Sequence, residues 1–158
     1  MNNVVFGTVS AFVLASSLIP GIVPSAQAQM RFNFSAPFIA DSGIVNASGD
    51  THFITVAVTG YPLEELIVTL PNDMRTLEGA MVTNQKGQEV SANVAISSGS
   101  LAISFAQPVA PDDYLTVRLM GVKMEPAGGT ALYRISAIKK GLIGQIPIGT
   151  AMVQLMMQ

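Results

Sequence analysis

Apolar and polar side chains alternate with a period of two along most of the sequence, and no other feature constrains the fold as strongly. The alternation recurs in five runs, at residues 52–59, 89–96, 101–106, 115–120 and 131–138. Successive side chains of a strand point to opposite faces, so this period is typical of half-buried strands. Shorter strand candidates lie at residues 30–35, 66–70, 80–84 and 151–157. No stretch has a helical period of adequate length, although residues 62–66 or 73–79 could form one helical turn.

Residues that favour turns separate these runs. Pro71, Asn72 and Asp73 end one run, and Gly87, in the connection 85–88, can take a positive φ. Residues 97–100 are suited to a hairpin. Many short strands at regular spacing predict an all-β fold, a single antiparallel Greek-key sandwich of the immunoglobulin-like type, with a small barrel as the rival. Residues 35–50 lack the alternation, and we expect them to form a loop that crosses between the sheets.

The first 28 residues have the pattern of a cleavable export signal. Residues 4–19 are apolar or small and uncharged, and Pro20 and Gly21 then interrupt any helix. Ala26 and Ala28 place small side chains where signal peptidase requires them, which predicts cleavage before Gln29. A membrane span needs roughly 20 apolar residues, so we expect no span in the mature form. The predicted division is a signal peptide, 1–28, and a β-sandwich domain, 29–158, in the periplasm or outside the cell.

Charge and cysteine content narrow the possible functions. The chain has 8 basic and 10 acidic residues, all after residue 28, and a net charge of −2. Nucleic-acid binding relies on clustered Lys and Arg, and the basic pair Lys139-Lys140 is interpreted as a solvated turn, so we predict no nucleic-acid partner. The absence of Cys excludes thiol nucleophiles, thiolate metal sites and disulfides. An exported domain of this kind must therefore be held by its core, which 49% apolar residues make feasible.

Several segments together resemble a known family. They are FNFSAPFI, HFITVAV, PLEELIVTLP, FAQPVAPDDYLTVRLMGVK, GGTALYRISAIKKG and IPIGTAMVQ, in that order, from about Phe32 to Val153. This order is similar to that of small exported proteins, mainly cyanobacterial, catalogued as domain of unknown function number 2808. The resemblance implies an exported cyanobacterial envelope protein and implies no particular activity. The closing LMMQ departs from the aromatic residue expected in relatives.

Residue types that usually carry catalysis or bind metals occur without a recognisable arrangement. His52 is the single His and shares the parity of apolar residues, which indicates a strand-end His at the core boundary. Met120 and Met124 would lie about 13 Å apart on a strand, too far to share a Cu(I) ion. QPVAPDDYLTV also resembles the closing edge of the periplasmic copper carriers, but their site would require an N-terminal His and a second His, whereas Gln29 begins this mature chain. The Met residues, including Met152, Met156 and Met157, are interpreted as core filling.

The ten carboxylates show no spacing that selects a catalytic pair: Asp41, Asp50, Glu64, Glu65, Asp73, Glu78, Glu89, Asp112, Asp113 and Glu125. Asp112-Asp113 could contribute to a Ca²⁺ site but lacks an EF-hand loop, so we interpret it as a solvated turn. Gly128-Gly129 lacks the Lys-Ser/Thr of a phosphate loop and is interpreted as a turn. Arg118 and Arg134 lie in the middle of strands and are assigned structural roles. We predict no cofactor, no metal site and no catalytic residue.

The final run, residues 149–157, carries neither charge nor Pro. Such a strand at a sheet edge is a template for pairing with another chain, whereas an internal strand would be covered on both sides. The leading hypothesis is a non-enzymatic binding or structural module of the cell envelope, whose partner is an envelope protein or polysaccharide, with edge-strand self-association possible. Two alternatives remain: an envelope polymer hydrolase that uses unplaced carboxylates, and a periplasmic metal carrier.

Overall fold

The computed structural model describes residues 36–125 and 128–156. The signal region, its cleavage residues Ala26, Ala28 and Gln29, and the strand predicted at residues 30–35 lie outside this part of the chain and stay predictions. The strands in the described part are β1 (Phe38–Ile44), β2 (Thr51–Val58), β3 (Leu63–Thr69), β4 (Met74–Thr76), β5 (Gly79–Thr83), β6 (Ala92–Ser97), β7 (Ser100–Val109), β8 (Asp113–Met120), β9 (Lys123–Met124), β10 (Gly129–Lys139) and β11 (Ile146–Leu155).

Two antiparallel sheets face each other, and the predicted all-β sandwich is confirmed. One sheet has four strands in the order β1-β2-β8-β5, the other has five in the order β11-β10-β3-β7-β6, and β4 pairs with β9. Three hairpins, β1-β2, β6-β7 and β10-β11, keep the chain in one sheet. Every other connection between the strands of the two large sheets crosses from one to the other, as in Greek-key sandwiches. No helix in the described ranges has the length and apolar character needed to cross a bilayer.

The core lies between the sheets and is built from one parity of each strand. Ile54, Val56 and Val58 of β2 face Leu66 and Val68 of β3 across this space, and all of them are almost completely buried. The same parity supplies the buried residues of the remaining long strands: Leu101, Ile103, Leu115, Val117, Leu119, Ala131, Tyr133, Ile135, Ala137, Ala151 and Val153. Burying one face of each strand fixes the strand register, because a one-residue slip would turn the apolar set towards solvent.

Two expectations from the sequence are wrong. Residues 35–50 contain strand β1 rather than only a crossing loop, and β1 pairs with β2. A β-bulge between Ile39 and Asp41 shifts the register, so the side chains before and after it no longer share one parity. Residues 62–66 and 73–79 form strand β3, strand β4 and a turn instead of helical turns, because pairing with β7, β10 and β9 satisfies their backbones.

Of the four sheet edges, β1 and β11 cover each other and β5 is partly covered. Of the two alternatives for the final run, the structure has the edge strand: β11 lies at an edge of the five-stranded sheet. It packs against β1, the edge strand of the opposite sheet, and the Ser42 hydroxyl donates to the Met152 carbonyl over 3.0 Å. The edge of β5 is partly covered by the segment after it, because Val90 N–H donates to Val82 O over 2.8 Å and Thr83 bridges Glu89. Within the part of the chain that the structure describes, β6 remains as the edge strand whose outer side is not covered.

Candidate functional site

Three loops meet at one end of the sandwich, and backbone hydrogen bonds hold them together. They are residues 59–62, 110–112 and 140–145, which follow β2, β7 and β10. The pairs Leu63↔Val109 and Leu63↔Lys139 bring the three loops to the same end. Asp112 N–H donates to Val58 O over 2.8 Å, and Lys140 N–H donates to Pro62 O over 2.9 Å. The loops are therefore parts of one connected surface.

This surface displays large apolar side chains to solvent. Ile143 is fully exposed at 105% of its reference area, Tyr61 is 56% exposed and Leu142 is 38% exposed. We call these three residues the apolar end. Gly141 and Gly144 flank Leu142 and Ile143 with φ values of 81° and 91°, so the chain turns back without a side chain that could shield them.

A buried ammonium group supports the first of these loops. Lys139 is 1% exposed, and its Nζ donates to the carbonyl of Thr59 over 2.7 Å. Burial lowers the pKa of Lys139 below its ordinary value, because the charged form loses solvation. The interpretation of Lys139-Lys140 as a solvated turn is thus wrong for Lys139. Its parity on β10, two residues beyond Ala137, directs it inward, and this parity was the available signal in the sequence.

His52 and Tyr133 form a polar pair inside the core. Both are completely buried, and the Tyr133 hydroxyl lies 2.6 Å from His52 Nδ1. Burial lowers the pKa of His52 and raises the pKa of Tyr133, since each ring loses solvation when it carries charge. His52 Nε2 is buried and has no hydrogen-bond partner in the described structure. His52 thus lies deeper than the core boundary predicted for it. Its hydrogen-bond partner is the hydroxyl of Tyr133, which is itself buried in the core.

The connection between β1 and β2, at the opposite end of the sandwich, contains a polar cluster. Asp50 Oδ1 accepts hydrogen bonds from Asn46 Nδ2 over 2.6 Å and from Thr51 Oγ1 over 3.0 Å. The Asn46 amide, with smaller contributions from Thr51 and Ser48, lowers the pKa of the Asp50 carboxyl. A groove of about 500 Å³ lies beside this loop and is lined by Asp50, Lys123 and Met124, among others.

The other predicted candidates do not converge on one groove of the described structure. A second groove, of about 530 Å³, is lined by Asp73 and Arg134, so each of these two grooves presents one carboxylate rather than a pair. Arg118 is exposed on β8, in the four-stranded sheet. Among residues 36–125 and 128–156, no group of three or more His, Asp or Glu side chains is placed to hold a metal ion.

The turn residues and the methionines that the sequence singles out lie in separate parts of the fold. Asp112 has a φ of 66°, and Asp113 Oδ1 accepts from Tyr114 N–H, as in a solvated turn. Gly128 and Gly129 have positive φ and lead into β10. Met152 is 65% exposed on β11 instead of filling the core. Met124, in contrast, is partly buried and packs against the core. Met157 lies outside the described residues.

The apolar end was not predicted from the sequence, although one signal was present. GLIG places two large apolar residues between glycines in a hairpin connection. A hairpin connection with a glycine on each side lies on the surface, so its apolar side chains have nothing to pack against. Tyr61, in contrast, follows a strand and precedes Pro62 without any such local mark.

Comparisons with known proteins identify the fold. No protein-family model matches the chain, and no curated protein matches it either. Among solved structures, the N-terminal domain of the Streptococcus gordonii adhesin Sgo0707 is similar, with a TM-score of 0.50 and 9% identity over 77% of this chain and 32% of that chain. The RrgA Jo.In complex is similar with a TM-score of 0.50 and 11% identity, over 76% of this chain and 78% of that chain.

A third similar structure is BslA, described as a bacterial hydrophobin. Its TM-score is 0.51 and its identity 16%, over 78% of this chain and 95% of that chain. The chain thus spans about a third of the length of the streptococcal adhesin structure but nearly all of the hydrophobin. At these identities the likenesses establish a shared β-sandwich fold.

Proposed function

We propose that this protein is an exported, non-enzymatic module of the cell envelope that binds an apolar surface through its apolar end. The observation that carries the proposal is the fully exposed Ile143, which lies beside Leu142 on a hairpin tip held to the neighbouring loop by Lys140 N–H and Pro62 O. A fully exposed isoleucine side chain adds no free energy of apolar burial to the stability of the free protein. It contributes only when another surface covers it.

The energy available at this end fits a reversible contact. Covering a large apolar side chain completely stabilises a complex by about 1.5–3 kcal/mol. Because Tyr61 and Leu142 are already partly covered in the free protein, the three residues together supply about as much as two such side chains before the cost of association is subtracted. This is adequate for adsorption to an extended apolar surface, where many copies act side by side, and is modest for a single pair of proteins.

Rigidity of the loops supports the same function. The Lys139 ammonium fixes the carbonyl of Thr59, and Lys140 N–H fixes the carbonyl of Pro62, so both ends of the segment that displays Tyr61 are held. Apolar side chains on loops already fixed in place lose less conformational entropy on contact than those on free loops.

The similar structures are consistent with this proposal. One is described as a bacterial hydrophobin and another as an adhesin domain, and both names denote proteins that work at surfaces. The export signal at residues 1–28, cleavage before Gln29, a periplasmic or extracellular location and membership of the cyanobacterial family belong to the same proposal. An envelope protein or polysaccharide that presents an apolar face would be the partner.

Adsorption to an octyl-coated surface tests the proposal. We expect the protein to be retained, and the charged variants Ile143→Lys and Tyr61→Lys to lose at least about tenfold in retention, because a buried ammonium is costly. Val45→Lys is the matched control: Val45 is 48% exposed but lies in the connection after β1, at the opposite end. Equal retention of all variants would refute the apolar end as the binding surface, and a mutation-sensitive turnover of an envelope polymer would refute the non-enzymatic role.

A further inference from the structure

Strand β6 has one paired side and one open side. It pairs with β7 from Ala92↔Phe105 to Ser97↔Ser100, and among the described residues no backbone hydrogen bond reaches its other side. The strand contains no charge and no Pro, the two devices that most often protect an edge from pairing with another chain. Its open side is distinct from the apolar end and has no part in the proposed function.

The hairpin fixes which backbone groups of β6 point outward. Ser98 and Gly99 form a two-residue loop, so Ser97 and Ser100 are the first hydrogen-bonded pair. Hydrogen-bonded and non-hydrogen-bonded pairs alternate along an antiparallel ladder. Ala95 and Asn93 therefore use their backbone groups within the monomer, whereas the N–H and C=O groups of Ala92, Val94 and Ile96 point away from β7.

We propose that β6 pairs with β6 of a second copy of this chain, antiparallel, about a two-fold axis that passes through Val94. In this register Val94 lies opposite its own equivalent, and Ala92 lies opposite Ile96 of the second copy. These three pairs are all of the hydrogen-bonded type, so the dimer gains about six backbone hydrogen bonds and joins two five-stranded sheets into one.

Side chains favour the second copy over an unrelated peptide. Opposite residues of an antiparallel pair project to the same face, and this register places Val94 against Val94 and Ile96 against Ala92 on the inner face. Asn93 lies opposite Ala95 on the outer face. Because β6 is uncharged, a self-pair encounters no like-charge repulsion, whereas a charged peptide would find no complementary group on the strand.

A groove beside the same edge supplies further apolar surface. It measures about 470 Å³ and is lined by Met74, Leu77 and Ile96, among others. Ile96 is 44% exposed there. The paired strand would cover Ile96, which gives the contact an apolar component in addition to its backbone hydrogen bonds. An interface of one strand per copy is smaller than the roughly 1,200 Å² of stable complexes, so we expect a dissociation constant on the order of 0.1 mM.

Sedimentation equilibrium between about 10 µM and 1 mM tests the dimer. The sample is the protein as purified from the cells that produce it. We expect a monomer–dimer equilibrium that Val94→Pro weakens at least about tenfold. The fold should be unchanged by circular dichroism, since the Val94 N–H points away from β7 and has no partner among the described residues. A chain that stays monomeric to 1 mM, or a dimer unaffected by Val94→Pro, would overturn the proposal.

Two further variant sets test the register itself. Ala95→Lys adds a charge at the edge, and Ala102→Lys adds the same charge on the same face one strand inward, opposite Ala95; only the first is expected to weaken the dimer. Because the chain has no Cys, Asn93→Cys and Ala95→Cys report proximity cleanly. A disulfide that forms when the two variants are mixed, and forms poorly with either alone, supports the register, and self-linkage of Ala95→Cys alone contradicts it.

Discussion

The buried pair His52–Tyr133 shows how one position in a strand alternation can carry a polar group into the core. His52 occupies the parity of Ile54 and Val56, and the core tolerates it because the Tyr133 hydroxyl satisfies Nδ1. Nε2 remains without a partner in the described structure. A buried imidazole with one unsatisfied nitrogen is stable when neutral and costly when charged, so His52 links the stability of the fold to pH.

We expect acid to destabilise the protein through His52. Its folded-state pKa lies below the ordinary value near 6.5, so between the two values the unfolded chain binds a proton that the folded chain does not. The contribution of His52 to the free energy of unfolding is therefore fully present above pH 6.5. It falls as the pH drops towards the folded-state pKa, by at most about 1.4 kcal/mol per pH unit. Urea unfolding followed from pH 7.5 to 5.5 measures this slope.

The matched variant for this test is His52→Asn. Its amide can still hydrogen-bond the Tyr133 hydroxyl but does not titrate. We expect a less stable protein whose stability is nearly independent of pH in this window. A variant with the same acid slope as the parent chain would assign the effect to other groups.

Lys139 and Lys140 are adjacent but differ in burial. Lys139 is buried and donates to Thr59 O, whereas Lys140 is exposed. We expect Lys139→Ala to lower the free energy of unfolding by about 2–4 kcal/mol, since it removes both packed methylenes and a charge-assisted hydrogen bond. Lys140→Ala keeps its backbone donor and should change stability by less than about 0.5 kcal/mol. Urea denaturation of the two variants compares them directly, and equal effects would contradict the burial of Lys139.

At the scale of elements, the sequence predicts what depends on local pattern and turn chemistry. The runs that form β2, β7, β8 and β10 are regular because one face of each is buried throughout, and Gly87 and Gly99 take the positive φ that their turns require. The strand β1 escapes prediction because its bulge at Ile39/Asp41 breaks the period. The alternation correctly indicates β11 as a strand, but only the packing of β1 shows that its edge is covered.

The candidate site was harder to predict than the strands because it depends on which loops meet. Tyr61 and Ile143 are far apart in the chain, and only the pairing of β3 with both β7 and β10 brings their loops together. The free edge of β6 has the same origin: its sequence resembles that of any short strand, and its exposure follows from the order of strands in the five-stranded sheet. Features that rest on topology leave little trace in a local pattern.

At the scale of the whole molecule, the apolar end and the β6 edge are related by geometry. The proposed two-fold axis is perpendicular to the sheet and reverses the strand direction, so the apolar ends of the two copies point in opposite directions. A monomer could coat an apolar surface with one end. A dimer presents its two apolar ends in opposite directions, so it could contact two separate surfaces at once and bridge them.

We therefore expect the protein to aggregate apolar particles, and to do so only when both surfaces are intact. Polystyrene beads mixed with the parent chain at a concentration that favours the dimer should cluster and raise the turbidity, because each dimer bridges two beads. Val94→Pro should still bind the beads but leave them dispersed, and Ile143→Lys should fail to bind them while remaining dimeric in sedimentation. Bead-bound protein and turbidity, measured on the same samples, separate these outcomes. Clustering by Val94→Pro at equal coverage would show that bridging does not pass through β6.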